Sequence, residues 1–143
     1  MEDLKIIYLR PEELTPYEKN VKRHEKLDLD AIKASIKDLG GFNDPIGIWG
    51  PRNIIVEGHG RQIAAIEMGL ERVPCIRLDH LTDEQRRAYT LAHNKTQELA
   101  EYDFSTLEAE LDALSADFDM ESYGFVSIPG GGIGGGDRGR RRG

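Results

Sequence analysis

The stretch "VEGHGRQIAAIEMGLERVP", residues 56–74, decides the fold. It opens as a β-rich run, turns on two glycines that bracket His59, and passes at once into a helical pattern. Gly69 then closes the helix, spanning about His59 to Met68, and "RVPCIRL" opens a further strand. A helix N-terminus offers unpaired N–H groups and a partial positive charge. Glycine lets backbone approach an anion with no Cβ in the way, and Gly58 and Gly60 are placed for that. His59 can donate a further hydrogen bond. Arg61, in the first turn, runs against the helix dipole, and its planar fork suits phosphate oxygens. Spacing alone leaves two readings open: an anion site, or a plain tight turn with a solvated Arg61.

Other phosphate templates fit worse. "GHGRQI" meets G-x-G-x-x-G only at its first two glycines, because Ile63 holds the third place. The hairpin expected before it also argues against a parallel dinucleotide-binding unit. There is no Walker sequence, and "GGGIGGG" lacks a strand before it and a helix after it.

Outward from that centre, "LKIIYL" reads as a first strand and "TPYEKNVKRHEK" as a polar loop with a basic cluster at Lys19, Lys22 and Arg23. "DLDAIKASIKDLGG" reads as a helix with Leu29, Ile32, Ile36 and Leu39 on one face, Asp28 capping its start and Gly40 its end. "PIGIWG" and "NIIVEG" flank the turn signal "GPRN", so Pro45–Trp49 and Asn53–Glu57 form a hairpin. Pro74 puts the "RVPCIRL" strand at an edge, or marks its start. Thr82 and Gln85 form a capping box before "DEQRRAYTLAHNKTQEL". A last helix begins near Ser105, with Glu108 in the same relation and Leu107, Leu111, Leu114 and Phe118 on its apolar face. The order β-α-β-β-α-β-α-α predicts an α+β domain over residues 1–124, with a small mixed sheet and a helical C-terminal half. Residues 125–143 are a Gly/Arg-rich tail expected to be disordered.

The chain has 143 residues and 31% charged content, enough for one domain with a core. No run reaches membrane-span length, and the acidic start is no secretory signal. Cys75 is the single cysteine, so no intrachain disulfide forms and a reducing cytoplasm is the expected compartment. In "VPCIRL" it reads as a small buried apolar side chain. Net charge is −7, and the tail contributes +3 through four arginines against Asp137, which leaves −10 on the body. So acidic a body is no general nucleic-acid binder, and any such contact needs a local basic patch such as that around Lys19. Arg86 and Arg87, beside Asp83 and Glu84, read as solvated surface. Trp49, at a strand end, reads as core or rim. His24, His59, His80 and His93 show no i, i+4 pairing that would hold zinc.

Three motifs in one order carry a resemblance. "EKNVKRH" (18–24) resembles an asparagine-and-arginine box. "IIVEGHGRQIAAIEMGLERVPCI" (54–76) resembles a strand, G-x-x-R turn, helix and "VP" strand. "LAHNKTQE" (91–98) stands where a Glu-Asn box lies on a later helix. Together, from about Leu14 to Glu98, they resemble the N-terminal domain of the ParB partition-protein family, which shares a fold with sulfiredoxin. "GHGR", "RLDHLTDEQRRAY" and "HNK" are most similar to the variant of phages and mobile elements, often joined to DNA methyltransferases. The resemblance implies a ParB/sulfiredoxin-like fold. It implies a nucleoside triphosphate, CTP or ATP, bound with Mg²⁺. Gly58 and Arg61 would grip the phosphates, Asn20 and Arg23 would lie beside the nucleotide, and Asn94 would sit near the metal. It also implies DNA, and a DNA methyltransferase or another DNA-processing protein, as partners. Two departures stand out. His93 replaces the family's Glu, and a histidine is a poorer magnesium ligand than a carboxylate. His59 and Gly60 replace an acidic and arginine pair. The sulfiredoxin cysteine is absent from the turn.

The expected function is thus a nucleotide-binding module in phage or mobile-element DNA metabolism. Two alternatives accompany it. One is a metal-dependent nuclease in which Glu57, His59 and Asp79, with His93, converge on one cleft. The other is an adaptor with a vestigial pocket that docks on a methyltransferase.

Overall fold

The computed structural model describes residues 3–19, 26–99, 101–127 and 133–134. The chain divides into two compact units, Met1–Leu99 and Ala100–Gly143. The first contains β1 (Ile6–Leu9), a 3-10 turn at Pro11–Glu13, α1 (Lys26–Asp38), β2 (Ile46–Trp49) and β3 (Ile54–Glu57). It continues with α2 (His59–Met68), β4 (Val73–Arg77) and α3 (Asp83–Leu99).

The four strands form one mixed sheet in the order β1-β4-β2-β3. β1 runs antiparallel to β4, with Ile6 opposite Ile76, and β2 runs antiparallel to β3. β2 and β4 are parallel, which the α2 crossover makes possible. Ile46, Ile48, Ile55, Val73 and Cys75 are completely buried and pack with Leu14 and Ala65 as the core. Burial pushes the Cys75 thiol up to about 11, as expected of an inert apolar filler.

The β2–β3 hairpin turns on Gly50 (φ +84°) and Asn53 (φ +55°), with the Asn53 N–H donating to Gly50 O at 3.0 Å. Arg77 locks this turn from β4. Its Nη1 donates to Asn53 Oδ1 at 2.8 Å and its Nη2 to Gly50 O at 2.6 Å. Between Gly47 and Ile48 the ladder slips: Gly47 faces Glu57 while Ile48 faces Ile55. Such a bulge re-aims the side chains beside it.

Several expectations need correction. β4 is an internal strand, which rules out the edge position as one of the two readings of Pro74. Pro74 instead lies near the strand's start, one residue before pairing with β2 begins at Cys75. α1 begins at Lys26, which puts Asp28 in its first turn rather than at its cap. Thr82 and Gln85 do close a reciprocal capping box, at 2.9 and 3.0 Å.

The second unit contains α4 (Phe104–Leu114), a 3-10 turn at Met120–Tyr123, and two short antiparallel strands, β5 (Val126–Ser127) and β6 (Ile133–Gly134). Asp103, not Ser105, caps α4: its carboxylate accepts from the Thr106 N–H and from the Ser105 and Thr106 hydroxyls. Those bonds, with Ser105 Oγ first, hold the Asp103 carboxyl below its usual range. Leu111 is the buried anchor of the expected apolar face. Most of the expected tail, 128–132 and 135–143, lies outside the described residues. The whole is a mixed α+β fold with a small sheet and a helical C-terminal half.

Candidate functional site

β3 ends at Glu57 and α2 begins at His59, so Gly58 alone makes the turn. Its backbone is left-handed, at φ 107° and ψ 22°. A Cβ there would lie 3.0 Å from Arg61 Nη2 and 3.2 Å from two Ile46 side-chain carbons. Both the dihedral and the crowding therefore require glycine. Gly58 supplies no side-chain cap to the first N–H groups of α2.

This turn floors a cavity of about 300 Å³. Residues Val56–Arg61 line its base and α3 supplies a wall of Thr90, His93, Asn94 and Gln97. Those four stand at i, i+3, i+4 and i+7, one face of a helix. Thr90 fixes that face by donating its hydroxyl to Val56 O at 2.8 Å. Ile32 of α1 and Asp44 of the α1–β2 loop complete the rim.

Among the described residues, Arg61 is the cationic group of the cavity. Its Nη2 donates to Glu57 Oε1 at 2.6 Å and to Pro45 O at 3.0 Å. Its Nη1 is ion-paired with Asp44 Oδ2 at 3.2 Å. Its Nε is buried and has no hydrogen-bond partner among the described residues. Glu57 is fixed in turn, because its Oε2 accepts from the Gly47 N–H at 3.1 Å, at the bulge. His93 Nε2 stands 3.9 Å from Glu57 Oε1.

His59 is buried, and its Nε2 accepts from the Tyr17 N–H at 3.1 Å. That bond requires an unprotonated Nε2, so the proton of the neutral ring sits on Nδ1. His59 thus ties the segment before α1 to the glycine turn. Gln62 does the same one turn on, donating to Pro11 O and Leu14 O at 2.9 and 3.0 Å.

The structure brings Glu57, Gly58, His59, Gly60, Arg61 and Asn94 together, with His93 beside them. Asn20 and Arg23 lie outside the described residues. Asp79 does not join the site. Its Oδ1 accepts from the Gly50 N–H at 2.8 Å and its Oδ2 from Arg77 Nε at 2.6 Å. Glu57 lies beside Gly47 at the start of β2, whereas Gly50 follows that strand's end, so the two carboxylates flank opposite ends of the sheet. The expected convergence of Glu57, His59 and Asp79 is therefore corrected. Among the described residues no three His, Cys, Asp or Glu side chains group to hold a metal.

Arg86 also departs from expectation. Far from solvated surface, it is 7% exposed. Its guanidinium carbon lies over both the Tyr17 and Trp49 rings, at 4.9 and 4.8 Å, and its Nε and Nη2 donate to Asp83 at 3.1 and 2.7 Å. Arg87, half-exposed and 3.7 Å from Asp83, does fit the surface reading. Sequence reasoning missed Thr90, Gln97 and Asp44. The i, i+3, i+4, i+7 spacing around Asn94 was the available signal for the first two; Asp44 had none, because only the fold brings its loop to Arg61.

No protein-family model matches the chain. It is 40% identical over 86 residues to the Escherichia coli (strain K12) ParB-like nuclease domain-containing protein YnaK, covering 60% of this chain and 97% of that one. Among solved structures it superposes on a C-terminally truncated Caulobacter crescentus ParB, complexed with CTP-γ-S, with a TM-score of 0.68 at 21% identity. That match covers 83% of this chain and 70% of the other. A Pnob8-like ParB-N domain matches with a TM-score of 0.53 at 13% identity, over 93% of this chain and 57% of that one. Sharing 40% identity with nearly the whole of a ParB-like protein, on a fold shared with ParB itself, the chain belongs to the ParB-like domain family.

Proposed function

We propose that the chain is a nucleotide-binding module that seats the phosphates of a nucleoside triphosphate, CTP or ATP, over the N-terminus of α2. The observation that carries this is the cavity itself: an uncapped helix start reached through an obligate glycine, with a part-buried arginine in its first turn. The CTP-γ-S bound to the Caulobacter crescentus ParB supports the same reading. In it Gly58, His59, Gly60 and Arg61 contact phosphate, Asn94 and Gln97 offer amides from α3, and Asn20 and Arg23 approach from the preceding segment.

A resident Mg²⁺ does not fit the described residues. Glu57 is held by Arg61 and by the Gly47 N–H, Asp44 is an exposed carboxylate lying against Arg61, and Asn94 and Gln97 are neutral amides. Magnesium is instead expected to arrive on the phosphates, retaining its waters. The setting in phage or mobile-element DNA metabolism, with DNA or a methyltransferase as partner, rests on the motif resemblance. A ParB complexed with its parS site is consistent with DNA as a partner.

Calorimetric titration of CTP, ATP and GTP, with and without Mg²⁺, tests the reading on the wild type and on Arg61→Ala. Saturable binding that the variant loses is the expected outcome. No binding to a folded sample overturns it and leaves plasmid nicking, the activity the relative's name suggests, as the next assay.

A further inference from the structure

We infer that Asp44 is a specificity-determining residue of the cavity: its carboxylate holds the place on Arg61 that a phosphoryl oxygen would take. This rests on the phosphate reading above.

The two carboxylates on Arg61 are not equivalent. Glu57 has 14% of its side chain exposed and is held at both oxygens, by Arg61 and by the Gly47 N–H. It is a fixed part of the wall and already balances the one guanidinium charge. Asp44 has 74% of its side chain exposed, and among the described residues its ion pair with Arg61 Nη1 is its single polar contact. It therefore adds a negative charge that Arg61 does not need.

Local backbone explains how it gets there. Gly40 and Gly41, at φ +92° and +108°, turn the chain after α1. Pro45 follows and restricts Asp44 to extended conformations, while Pro45 O itself accepts from Arg61 Nη2 at 3.0 Å. The Asp-Pro pair thus presents a carbonyl and a carboxylate to one guanidinium. Glu57 and the carbonyl hold the Nη2 side. Nη1 faces the exposed, singly held Asp44, which a polyanion can displace.

The consequence is a graded barrier. A phosphate must compete with Asp44 for Nη1 and approach past its charge, so weakly charged anions are rejected and a polyphosphate is favoured. Removing the charge should tighten phosphate binding, because an exposed pair of this kind holds the arginine only weakly.

Full-length wild type, Asp44→Asn, Asp44→Ala and Arg61→Ala would be titrated calorimetrically with inorganic triphosphate and with CTP and Mg²⁺. Ligand-free melting curves would establish that each is folded. Both Asp44 variants should bind about fivefold more tightly at low salt, a gain that shrinks as salt screens the carboxylate. Arg61→Ala should not bind. Equal or weaker binding by both Asp44 variants, with Arg61-dependent binding intact in the wild type, would overturn the inference and leave the nucleotide reading standing. No binding by the wild type or either Asp44 variant would overturn both. Binding by the Asp44 variants alone would support the inference most strongly.

Discussion

Arg86 stacks on Trp49, its guanidinium carbon 4.8 Å from the ring centre. It also lies over the Tyr17 ring, at 4.9 Å. Trp49 is itself fixed by donating its Nε1–H to Leu81 O at 2.8 Å. One side chain of α3 is thereby clamped to the end of β2 and to the segment that leads into α1. Desolvated cation–π contacts are worth about 2 kcal/mol, far more than a surface ion pair.

Arg86→Ala should therefore lower unfolding stability by about 2 kcal/mol. Arg87→Ala, one residue on, should stay within about 0.5 kcal/mol of wild type. Urea denaturation checks both. The midpoint should fall for Arg86→Ala with an unchanged slope. Equal midpoints for the two variants would show that the clamp carries no stability.

Gly58→Ala tests the turn. The left-handed backbone and the contacts at 3.0 and 3.2 Å act together, so the added methyl must displace Arg61 or Ile46. The expected cost is about 1–3 kcal/mol from backbone strain. Because Arg61 Nη2 is the nearest atom, phosphate binding should also fall by more than the loss of stability alone accounts for. A variant that melts and binds like wild type would mean that the turn needs no glycine.

The strand–turn–helix unit was legible because its signals are local. Apolar alternation, two glycines and Gly69 fix β3, the turn and α2 within a few residues, and the structure places α2 at His59–Met68, as the pattern implies. The capping box at Thr82 and Gln85 was equally local. What escaped was decided by distant partners. Arg86 is buried because Tyr17 and Trp49, far apart in sequence, meet on it. Its charged neighbours Asp83 and Glu84 gave the opposite impression. Asp79 was grouped with Glu57 and the histidines because carboxylates and histidines together can position a metal and a water. Strand direction separates them: β3 runs against β2, and β4 runs with it. Only those pairing directions reveal which end of the sheet each occupies.

Asp79 supplies the last prediction, because pH and function point the same way. The hydrogen bond from Arg77, helped by the Gly50 N–H, holds its carboxyl below the ordinary 3.8. A carboxyl depressed on folding contributes stability above its unfolded value, and loses it as pH falls through the lower folded value. Asp79→Asn should thus be slightly less stable than wild type at pH 7, by a few tenths of a kcal/mol for so exposed a pair. The difference should close as pH falls past the depressed folded value of Asp79, where both side chains are neutral. Since Asp79 braces the Gly50 turn at the sheet end away from the cavity, the substitution should leave phosphate binding unchanged. A metal-dependent nicking activity that vanished in Asp79→Asn, while the melting curve at pH 7 stayed put, would show instead that this carboxylate works in catalysis. The separation of Asp79 from Glu57 argues for the first result.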